Sequence, residues 1–427
     1  IFDEYRYFEP GTHFECINFK GRKIALTICE DLWNINDNPL YVSNPMDQLI
    51  LQKPDMMINI AASPFSYAHD DERMAVLSDN AKKYNLPLLY VNQVGAQTEL
   101  IFDGGSLAFD RKGNLLDELA YFKEDLKVYE VKGNEIIGHI PKQHQPLSDI
   151  EQIYDALILG IRDYFYKSGF KKAVLGLSGG IDSAVVCALA CRALGPENVM
   201  AVLMPSKYSS DHSIKDAMDL VKSFGCMHEV IPIKQTADAF DLTMAGAFGS
   251  LPPNLAEENI QARCRGIILM AMSNKFGYIL LNTSNKSECA VGYGTLYGDM
   301  CGAIGVIGDV YKTQIFQLAG FINKTEVMIP ENTIVKPPSA ELRPDQKDSD
   351  SLPDYDVLDK ILFQHIELKK SSSAIVAQGY EKNLVNRIIK MVNSAEFKRY
   401  QTPPILRVSP KAFGMGRRMP IVGKYLS

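Results

Sequence analysis

The sequence predicts an α/β protein of two domains, and three observations lead to this fold class. Apolar runs of strand length alternate with helix-length segments over most of the 427 residues. A glycine- and serine-rich segment, 178–183, lies where one of these strands gives way to a helix. A polar segment with two prolines, 141–149, has the composition of a connection. We therefore predict a first domain at 1–140, a linker at 141–149 and a second domain at 150–427.

The first domain is predicted to be a layered sheet. Strand-length apolar runs occur at 23–28, 56–61 and 88–92, and the apolar residues of 70–84 have helical spacing. The segment 104–114 predicts a strand followed by a turn, as in a hairpin of a mixed sheet. Strand–helix–strand alternation of this kind gives an α/β layer structure.

The second domain is predicted to be a doubly wound parallel sheet with a helical C-terminal extension. Its predicted strands are 173–177, 199–204 and 229–231. Its predicted helices are 150–166, one that follows the glycine-rich segment and ends at 194, 214–224, 257–274, 355–367 and 384–392.

The composition excludes several function classes. With 46% hydrophobic and 22% charged residues the chain is ordinary globular material, and its net charge of −6 argues against a surface that follows nucleic-acid phosphates. Its apolar stretches are far shorter than the roughly 20 residues of a membrane helix. The eight cysteines include no CxxC pair, so neither a zinc ribbon nor a secreted disulfide framework is indicated. We expect a reduced, cytoplasmic setting with no nucleic-acid or membrane partner.

The glycine-rich segment predicts a phosphate-binding loop. A strand that runs through this loop into a helix places several backbone N–H groups at a positive helix terminus. Glycines permit close approach of the backbone, the serine hydroxyls are further donors, and the aspartate can hold Mg²⁺ beside a polyphosphate. We predict that ATP binds Gly176, Leu177, Ser178, Gly179, Gly180, Ile181, Asp182 and Ser183. The alternative is a turn of the same composition without a ligand.

The loop lacks the Gly-Lys-Ser/Thr ending of a Walker loop, so it does not indicate γ-phosphoryl transfer. It resembles the pyrophosphate loop of the ATP pyrophosphatases, which cleave ATP between the α and β phosphates and adenylate a substrate. This resemblance implies an adenine nucleotide alpha hydrolase-like fold for the second domain.

Further segments of the second domain resemble those of NAD synthetases: 258–263, 282–288, 291–299, 336–344 and the tail from 396. With the loop, the similarity covers nearly all of 150–427. It implies that ATP contacts Thr283 and that deamido-NAD contacts Asn259, Glu288, Tyr293, Gly294, Thr295, Leu296 and Lys398. Lys312 and Arg263 are further candidates for binding anions, of ATP and of deamido-NAD respectively. Taken singly, Asn259, Lys312 and Lys398 would more often be helix-surface residues, and only their joint spacing supports the assignment.

The implied reaction explains two of these residues on chemical grounds. A carboxylate that attacks the α-phosphate of ATP requires both anions to be neutralised in one place. We therefore expect Asp182 and Glu288 to hold Mg²⁺ together. The resemblance implies an adenylated nicotinate intermediate, release of pyrophosphate and displacement of AMP by ammonia.

In the first domain, Cys29 follows an apolar strand, where a sharp turn could expose its sulfur. A nucleophilic thiol needs a base and an oxyanion donor, and a lone cysteine in this position could also be a packed structural residue. The segments 28–33 and 59–65 resemble the nitrilase-type amidase domain of glutamine-dependent NAD synthetases. The resemblance implies a partial α-β-β-α sandwich in which Cys29 belongs to a Glu-Lys-Cys triad.

The glutamate and lysine of that triad are expected in segments upstream of Ile1, and since the chain does not start with Met we expect a truncated amino terminus. The resemblance further implies that Ser63 helps to bind glutamine. His69 occupies the place of a basic residue of the family, and its alternative is an ordinary polar loop residue.

The predicted function is glutamine-dependent NAD(+) synthesis, with ATP, deamido-NAD and glutamine or ammonia as small-molecule partners. Two alternatives remain open: an ATP pyrophosphatase that amidates a purine or a tRNA base, and a nucleotide-binding protein with a decayed amidase domain. Cys187 and Cys191 are one helical turn apart and are assigned to apolar packing, and the seven scattered histidines do not indicate a transition-metal site. Similar enzymes assemble as homo-oligomers, so the resemblance implies the same here.

Overall fold

The computed structural model describes residues 7–35, 43–141, 143–209, 211–324, 327–339, 341–343 and 346–423. The chain divides into two compact units between Gln152 and Ile153, in the helix that follows the predicted linker. Ala340 and Pro344, which belong to one of the NAD synthetase-like segments, lie outside the described residues.

The first unit is built on a mixed six-stranded sheet, in the order β1-β2-β3-β4-β7-β8, with β2, β3 and β4 parallel. The strands of this unit are β1 (Ile17–Phe19), β2 (Arg22–Ile28), β3 (Met56–Ala61), β4 (Leu88–Asn92), β5 (Val94–Gln97), β6 (Leu100–Asp103), β7 (Leu107–Phe109), β8 (Leu115–Glu118), β9 (Glu130–Lys132) and β10 (Glu135–Ile137). Its helices are α1 (Pro45–Leu49) and α2 (Asp70–Tyr84). Strands β3 and β4 and helix α2 have the predicted bounds.

The two faces of this sheet differ, as the period-two alternation of strand side chains requires. One face carries Ala25, Met57 and Leu88, which are fully buried against Leu77 and Ala81 of α2. The opposite face leaves Ile28, Ile60 and Val91 exposed. Besides this sheet, the described part of the unit contains two two-stranded sheets, β5-β6 and β9-β10.

The second unit has a five-stranded sheet, in the order β13-β12-β11-β14-β15, and all its strands are parallel. Its strands are β11 (Ala173–Gly176), β12 (Val199–Leu203), β13 (Met227–Val230), β14 (Ile279–Asn282) and β15 (Ile304–Gly305). Its helices are α3 (Asp149–Ser168), which begins before the division, α4 (Ile181–Leu194), α5 (Asp211–Phe224), α6 (Lys234–Phe248), α7 (Leu255–Phe276), α8 (Lys286–Val291), α9 (Lys312–Ile322), α10 (Glu331–Val335), α11 (Tyr355–Ile366), α12 (Ser372–Val376), α13 (Lys382–Ser394) and α14 (Glu396–Arg399).

The predicted doubly wound sheet and helical extension are confirmed, but the prediction lacks strands β14 and β15 and helices α6, α8 and α9. Helix α6 is absent from the prediction because none of its residues is buried, so no apolar face marks it. Strand β14 is a four-residue buried run that the sequence cannot distinguish from part of a helix. The edge strand β13 lies two residues before the predicted position because its residues are exposed or half-buried and lack a hydrophobic pattern.

Candidate active sites

The phosphate loop of the second unit lies between the end of β11 and the start of α4, as predicted. Gly180 caps the helix in an extended conformation, so the backbone N–H groups of the first turn point out of the helix end. The hydroxyls of Ser178 and Ser183 lie 3.1 Å apart, and the Ser183 hydroxyl donates to the carbonyl of Gly180 over 3.0 Å. The two serines therefore fix the shape of the loop from inside.

Gly179 has a steric reason to be glycine. Its φ is +82°, and a Cβ built on it would lie 2.3 Å from the backbone oxygen of Ser213. Because Ser213 is a buried residue of α5, this contact presses the loop against a neighbouring helix. A side chain at 179 would displace one of the two.

Three side chains converge behind the loop. The carboxylate of Asp182 accepts a hydrogen bond from the amide of Asn285 over 2.9 Å and an ion pair from the ammonium of Lys312, whose side chain is only 2% exposed. Asn285 also forms a capping box with Glu288, in which each side chain bonds to the backbone N–H of the other residue. The first turns of α4, α8 and α9 thus bring these residues to one place.

The electrostatics of this group are those of two close carboxylates. Burial and the charge of Asp182 raise the pKa of Glu288 well above its usual range. Burial alone would lower the pKa of Lys312, but the charges of Asp182 and Glu288 raise it above its ordinary value. A divalent cation with oxygen ligands would relieve the same repulsion, so this donor set fits Mg²⁺.

The residues predicted to bind deamido-NAD are held together by mutual contacts. The Thr295 hydroxyl donates to the side-chain oxygen of Asn259 over 2.7 Å, and Arg263 donates to the carbonyl of Leu296 over 3.2 Å. Lys398 donates to the carbonyls of Gly292 and Gly294, each over 2.7 Å. These side chains fix the 292–296 loop to α7 and to α14.

An open cleft runs along the phosphate loop, and only part of the predicted set lines it. Thr283, Glu288, Tyr293 and Lys312 line the cleft, whereas Asn259, Arg263 and Lys398 do not. No individual role was predicted for the other polar side chains of the wall: Ser209, Ser213, Arg265, Ser284, Asp299, Thr333, Lys336, Ser339, Glu341 and Asp348.

These missed residues form networks of their own. Lys336 donates to the hydroxyl of Ser213 and to the carboxylate of Glu341, the latter over 3.0 Å. Asp348 accepts hydrogen bonds from the hydroxyls of Tyr293 over 3.1 Å and Tyr355 over 2.9 Å. The segment 336–344 was a sequence signal for Lys336 and Glu341, but Asp348 and Arg265 had none because only the fold brings them to the cleft.

A fully buried lysine lies next to the carboxylate group. Lys286, at the start of α8, pairs with Asp309 over 2.9 Å and donates to Glu367 over 2.5 Å, to the hydroxyl of Ser409 over 2.7 Å and to the carbonyl of Lys411 over 3.0 Å. A buried ammonium is tolerated only with several such partners. This network connects the helix that carries Glu288 to residues far along the chain.

In the first unit, Cys29 lies at a sharp turn directly after β2. Its φ is +44°, a left-handed conformation that is uncommon for a residue with a side chain. The amide of Asn59, fully buried on β3, donates to the carbonyl of Cys29 over 3.3 Å and to the Thr27 hydroxyl over 3.0 Å. Burial raises the pKa of the Cys29 thiol, so a base must remove its proton before it can act as a nucleophile.

The carboxyl ends of β3 and β4 bring further polar groups to the same edge of the sheet. The backbone N–H of Ser63 donates to the side chain of Asn92 over 3.0 Å, and Ser63 also hydrogen-bonds to Tyr90. Burial raises the pKa of Tyr90 to about 12. Asn92 in turn donates to Asp103, which is paired with the buried Arg73. Ser63 thus sits on a rigid buried network.

His69 lies beside the turn after Cys29, where it is packed as an uncharged ring rather than presented as a positive charge to a ligand. Its ring stacks on Trp33 with centroids 5.0 Å apart, and it contacts the carboxylate of Glu72 over 3.3 Å. Burial lowers the pKa of His69, so the ring is neutral at pH 7. This packing accounts for the residue structurally, and its role toward glutamine stays a prediction.

None of the helices that the structure describes is both long enough and apolar enough to cross a bilayer.

The parallel sheet, the phosphate loop at its carboxyl edge and the pairing of Lys312 with Asp182 define the second unit as an ATP-utilising α/β enzyme domain. The family model of NAD synthase matches residues 153–402. The chain is 47% identical over 426 residues to the glutamine-dependent NAD(+) synthetase of Synechocystis sp., a match that covers 99% of this chain and 76% of the relative. It is 43% identical over 427 residues to the enzyme of the same name from Acinetobacter baylyi, covering 99% and 77%.

A solved structure agrees. The glutamine-dependent NAD+ synthetase from Acinetobacter baumannii, in complex with ADP, matches with a TM-score of 0.74 and 38% identity over 99% of this chain and 76% of that one. The chain belongs to the family of glutamine-dependent NAD(+) synthetases. The family, the fold class and the ligase class predicted from the sequence are thereby confirmed, and nothing in these relatives supports a purine or tRNA acceptor.

Proposed function

We propose that the protein makes NAD(+) by adenylating deamido-NAD with ATP and then amidating it with ammonia released from glutamine. The products are NAD(+), AMP, pyrophosphate and glutamate. The observation that carries this proposal is the group behind the phosphate loop, in which Lys312 pairs with Asp182 and both lie close to Glu288. A site that only sensed ATP would not need two carboxylates held against their own repulsion.

On the ATP side, the first turn of α4 presents its N–H groups to the β- and γ-phosphates, the part of ATP that leaves as pyrophosphate. Ser178 and Ser183 keep the loop in the required shape. Thr283, at the carboxyl end of β14, contacts the nucleotide from the opposite wall of the cleft. Lys312 adds a positive charge that balances the anions gathered at the α-phosphate.

Asp182 and Glu288 are the residues that would hold Mg²⁺. When bound, this ion neutralises the polyphosphate so that a second anion can approach it. Asp182 lies in the first turn of α4 and Glu288 in the first turn of α8, and Asn285 donates a hydrogen bond to each carboxylate. The chain's own contribution is therefore a fixed pair of oxygen donors at the edge of the cleft.

The chemistry first joins the nicotinate carboxylate to the α-phosphate of ATP and then replaces the AMP group by ammonia. A carboxylate oxygen of the nicotinate ring attacks the α-phosphorus, the bond to the β-phosphate oxygen breaks, and pyrophosphate leaves. Ammonia then attacks the resulting acyl carbon through its lone pair, AMP leaves with the bonding electrons, and a proton is lost from nitrogen. Asn259, Arg263, Gly294, Thr295, Leu296 and Lys398 shape the loop against which deamido-NAD binds, with Tyr293 and Glu288 at the cleft wall.

The first unit supplies the ammonia. Cys29 attacks the side-chain amide carbon of glutamine, and ammonia leaves before water releases glutamate from the thioester. Cys29 lies at the left-handed turn after β2, and Ser63 and His69 lie on the segments that would hold glutamine. Glutamine is a useful donor because free ammonia is mostly ammonium at neutral pH and then has no lone pair to attack with. We further propose a cytoplasmic location and a homo-oligomeric assembly, following the family resemblance.

The test is turnover. Purified protein with ATP, Mg²⁺ and deamido-NAD should yield NAD(+) and AMP with free ammonia, and with glutamine when both sites are intact. Replacement Asp182→Asn should abolish synthesis from either nitrogen source without loss of folding. If wild-type protein forms no NAD(+) even with free ammonia, or if the Asp182→Asn variant stays active, the proposal is wrong.

A further inference from the structure

Three cysteine sulfurs converge in the core of the second unit. Cys187 and Cys191 lie one turn apart on α4, and Cys226 follows α5 at the start of the connection to β13. The three side chains are 0%, 6% and 6% exposed, and their sulfur atoms all lie within 4.8 Å of one another. The sequence offers only the first two as neighbours, because Cys226 reaches them through the fold.

The spacing matches a metal ion bound by three sulfurs. The sulfurs of Cys187 and Cys226 are 4.0 Å apart. With metal–sulfur bonds of ~2.3 Å, sulfurs around a trigonal ion lie about 4.0 Å from each other, and around a tetrahedral ion slightly closer. A disulfide would use only two of the three sulfurs and would require them to approach to about 2 Å.

Binding of a cation at this cluster would exchange thiol protons for metal. The thiolate is the form of cysteine that binds a metal ion, so each of the three thiols would release its proton to solvent as its metal–sulfur bond forms.

We propose that Cys187, Cys191 and Cys226 form a binding site for a thiophilic closed-shell cation, Cu⁺ or Zn²⁺. Thiolate ligands select these ions over the oxygen-seeking Mg²⁺, so the site is chemically separate from the carboxylates of the ATP cleft. Two of the ligands stand on a helix, so the site is largely preformed. Occupancy would join α4, whose first turn carries the phosphate loop, to the connection after α5.

The experiment uses the full chain, reduced with a phosphine under anaerobic conditions and supplied with Zn²⁺ alone or Cu⁺ alone. After removal of unbound metal, elemental analysis should find one ion per chain with at least one of the two cations, and the arm that retains it identifies the ion. Cd²⁺ as a spectroscopic probe should give a sulfur-to-metal charge-transfer band. The melting temperature should rise with metal, since the ion binds the folded state.

Two variants and a matched control make the result specific. Cys226→Ser, in a connection rather than a helix, and Cys191→Ala should each lose the retained ion, the Cd²⁺ band and the metal-dependent rise in melting temperature. Cys264→Ala removes another buried cysteine of the same unit and should keep all three. Retention of neither cation by the reduced wild-type chain, or equal retention by Cys226→Ser, would overturn the proposal.

Discussion

The buried ammonium of Lys312 pairs with the carboxylate of Asp182, and this contact joins the first turn of α9 to the first turn of α4. Lys312 also lies over the ring of Tyr355, 5.4 Å from its centroid. The pair closes the rear wall of the cleft. It makes the charge balance of the site depend on one lysine that solvent hardly reaches.

Replacement Lys312→Met should therefore remove synthesis from both nitrogen sources. The variant leaves Asp182 and Glu288 facing each other without a cation, and loss of one preorganised electrostatic partner costs about 100-fold or more in rate. The measurement is kcat/KM with free ammonia and with glutamine. A loss confined to the glutamine reaction would contradict the placement of Lys312 at the synthetase site.

The raised pKa of Glu288 predicts a pH effect on stability. Because the folded state binds this proton more tightly than the unfolded chain, the stabilisation is fully present below the ordinary value of 4.5 and is lost as the pH rises through the raised folded pKa. Glu288→Gln keeps the acceptor of the capping box and removes the titration. In nucleotide- and metal-free protein, denaturant unfolding should show that the free energy of unfolding of the variant rises relative to that of wild type as the pH increases from 5 to 8. A constant difference across this range would contradict the prediction.

Gly179→Ala should weaken ATP binding, because the added Cβ meets the Ser213 oxygen at 2.3 Å. The matched control is Gly169→Ala, which has a similar φ of +75° but nothing within 4 Å of the added carbon. Both variants place a Cβ on a left-handed backbone, which lowers the free energy of unfolding by about 1 kcal/mol. Only Gly179→Ala should also raise KM for ATP, by about 10-fold for each ~1.4 kcal/mol lost. Equal KM values for the two would show that the contact with α5 is unimportant.

Asn59→Leu should impair the use of glutamine and spare synthesis from ammonia. Its amide bonds to the carbonyl of Cys29 and so holds the strained turn, and loss of buried hydrogen bonds of this kind costs roughly 1–3 kcal/mol. Cys29→Ala should abolish synthesis from glutamine and likewise spare synthesis from ammonia. Asn114→Leu, which removes an asparagine hydrogen bond to Asp110 in the turn between β7 and β8, is the control. The alkylation rate of the Cys29 thiol gives a second readout, which Asn59→Leu should change and Asn114→Leu should not.

Lys398→Met should raise KM for deamido-NAD by about 10-fold and leave KM for ATP nearly unchanged. The ammonium holds the carbonyls of Gly292 and Gly294, and each charged hydrogen bond contributes about 1.5 kcal/mol or more. Lys390→Met, at an exposed lysine on α13, is the control and should have no effect. A change in both KM values would indicate a general loss of structure rather than a local one.

The parts of the fold that the sequence predicts are those with strong local signals. Strands β3 and β4 and helix α2 have buried, periodic side chains, and the phosphate loop has residue types that few other turns require. Helix α6 was missed because it buries nothing. Strand β14 was missed for a different reason: it is fully buried, but four apolar residues are too few to distinguish a strand from part of a helix.

The candidate sites divide in the same way. The resemblance pointed to Lys312, Glu288 and Thr283, and the fold brings all three to one cleft. Asp348 was missed because its partners, Tyr293 and Tyr355, are contacts that no sequence spacing encodes. The convergence of Cys226 on the helix after the loop has the same origin: distant segments meet only after the sheet has formed.

The buried partners of Lys286 have a consequence for how the protein matures. This lysine lies two residues before Glu288, yet its ammonium bonds to Ser409, 123 positions later in the chain. Residue 286 is synthesised long before residue 409, so the hydrogen bond between Lys286 and Ser409 cannot form until the later segment has been made. A chain that ends before Ser409 would leave the buried ammonium of Lys286 with fewer partners, which destabilises the helix that carries Glu288.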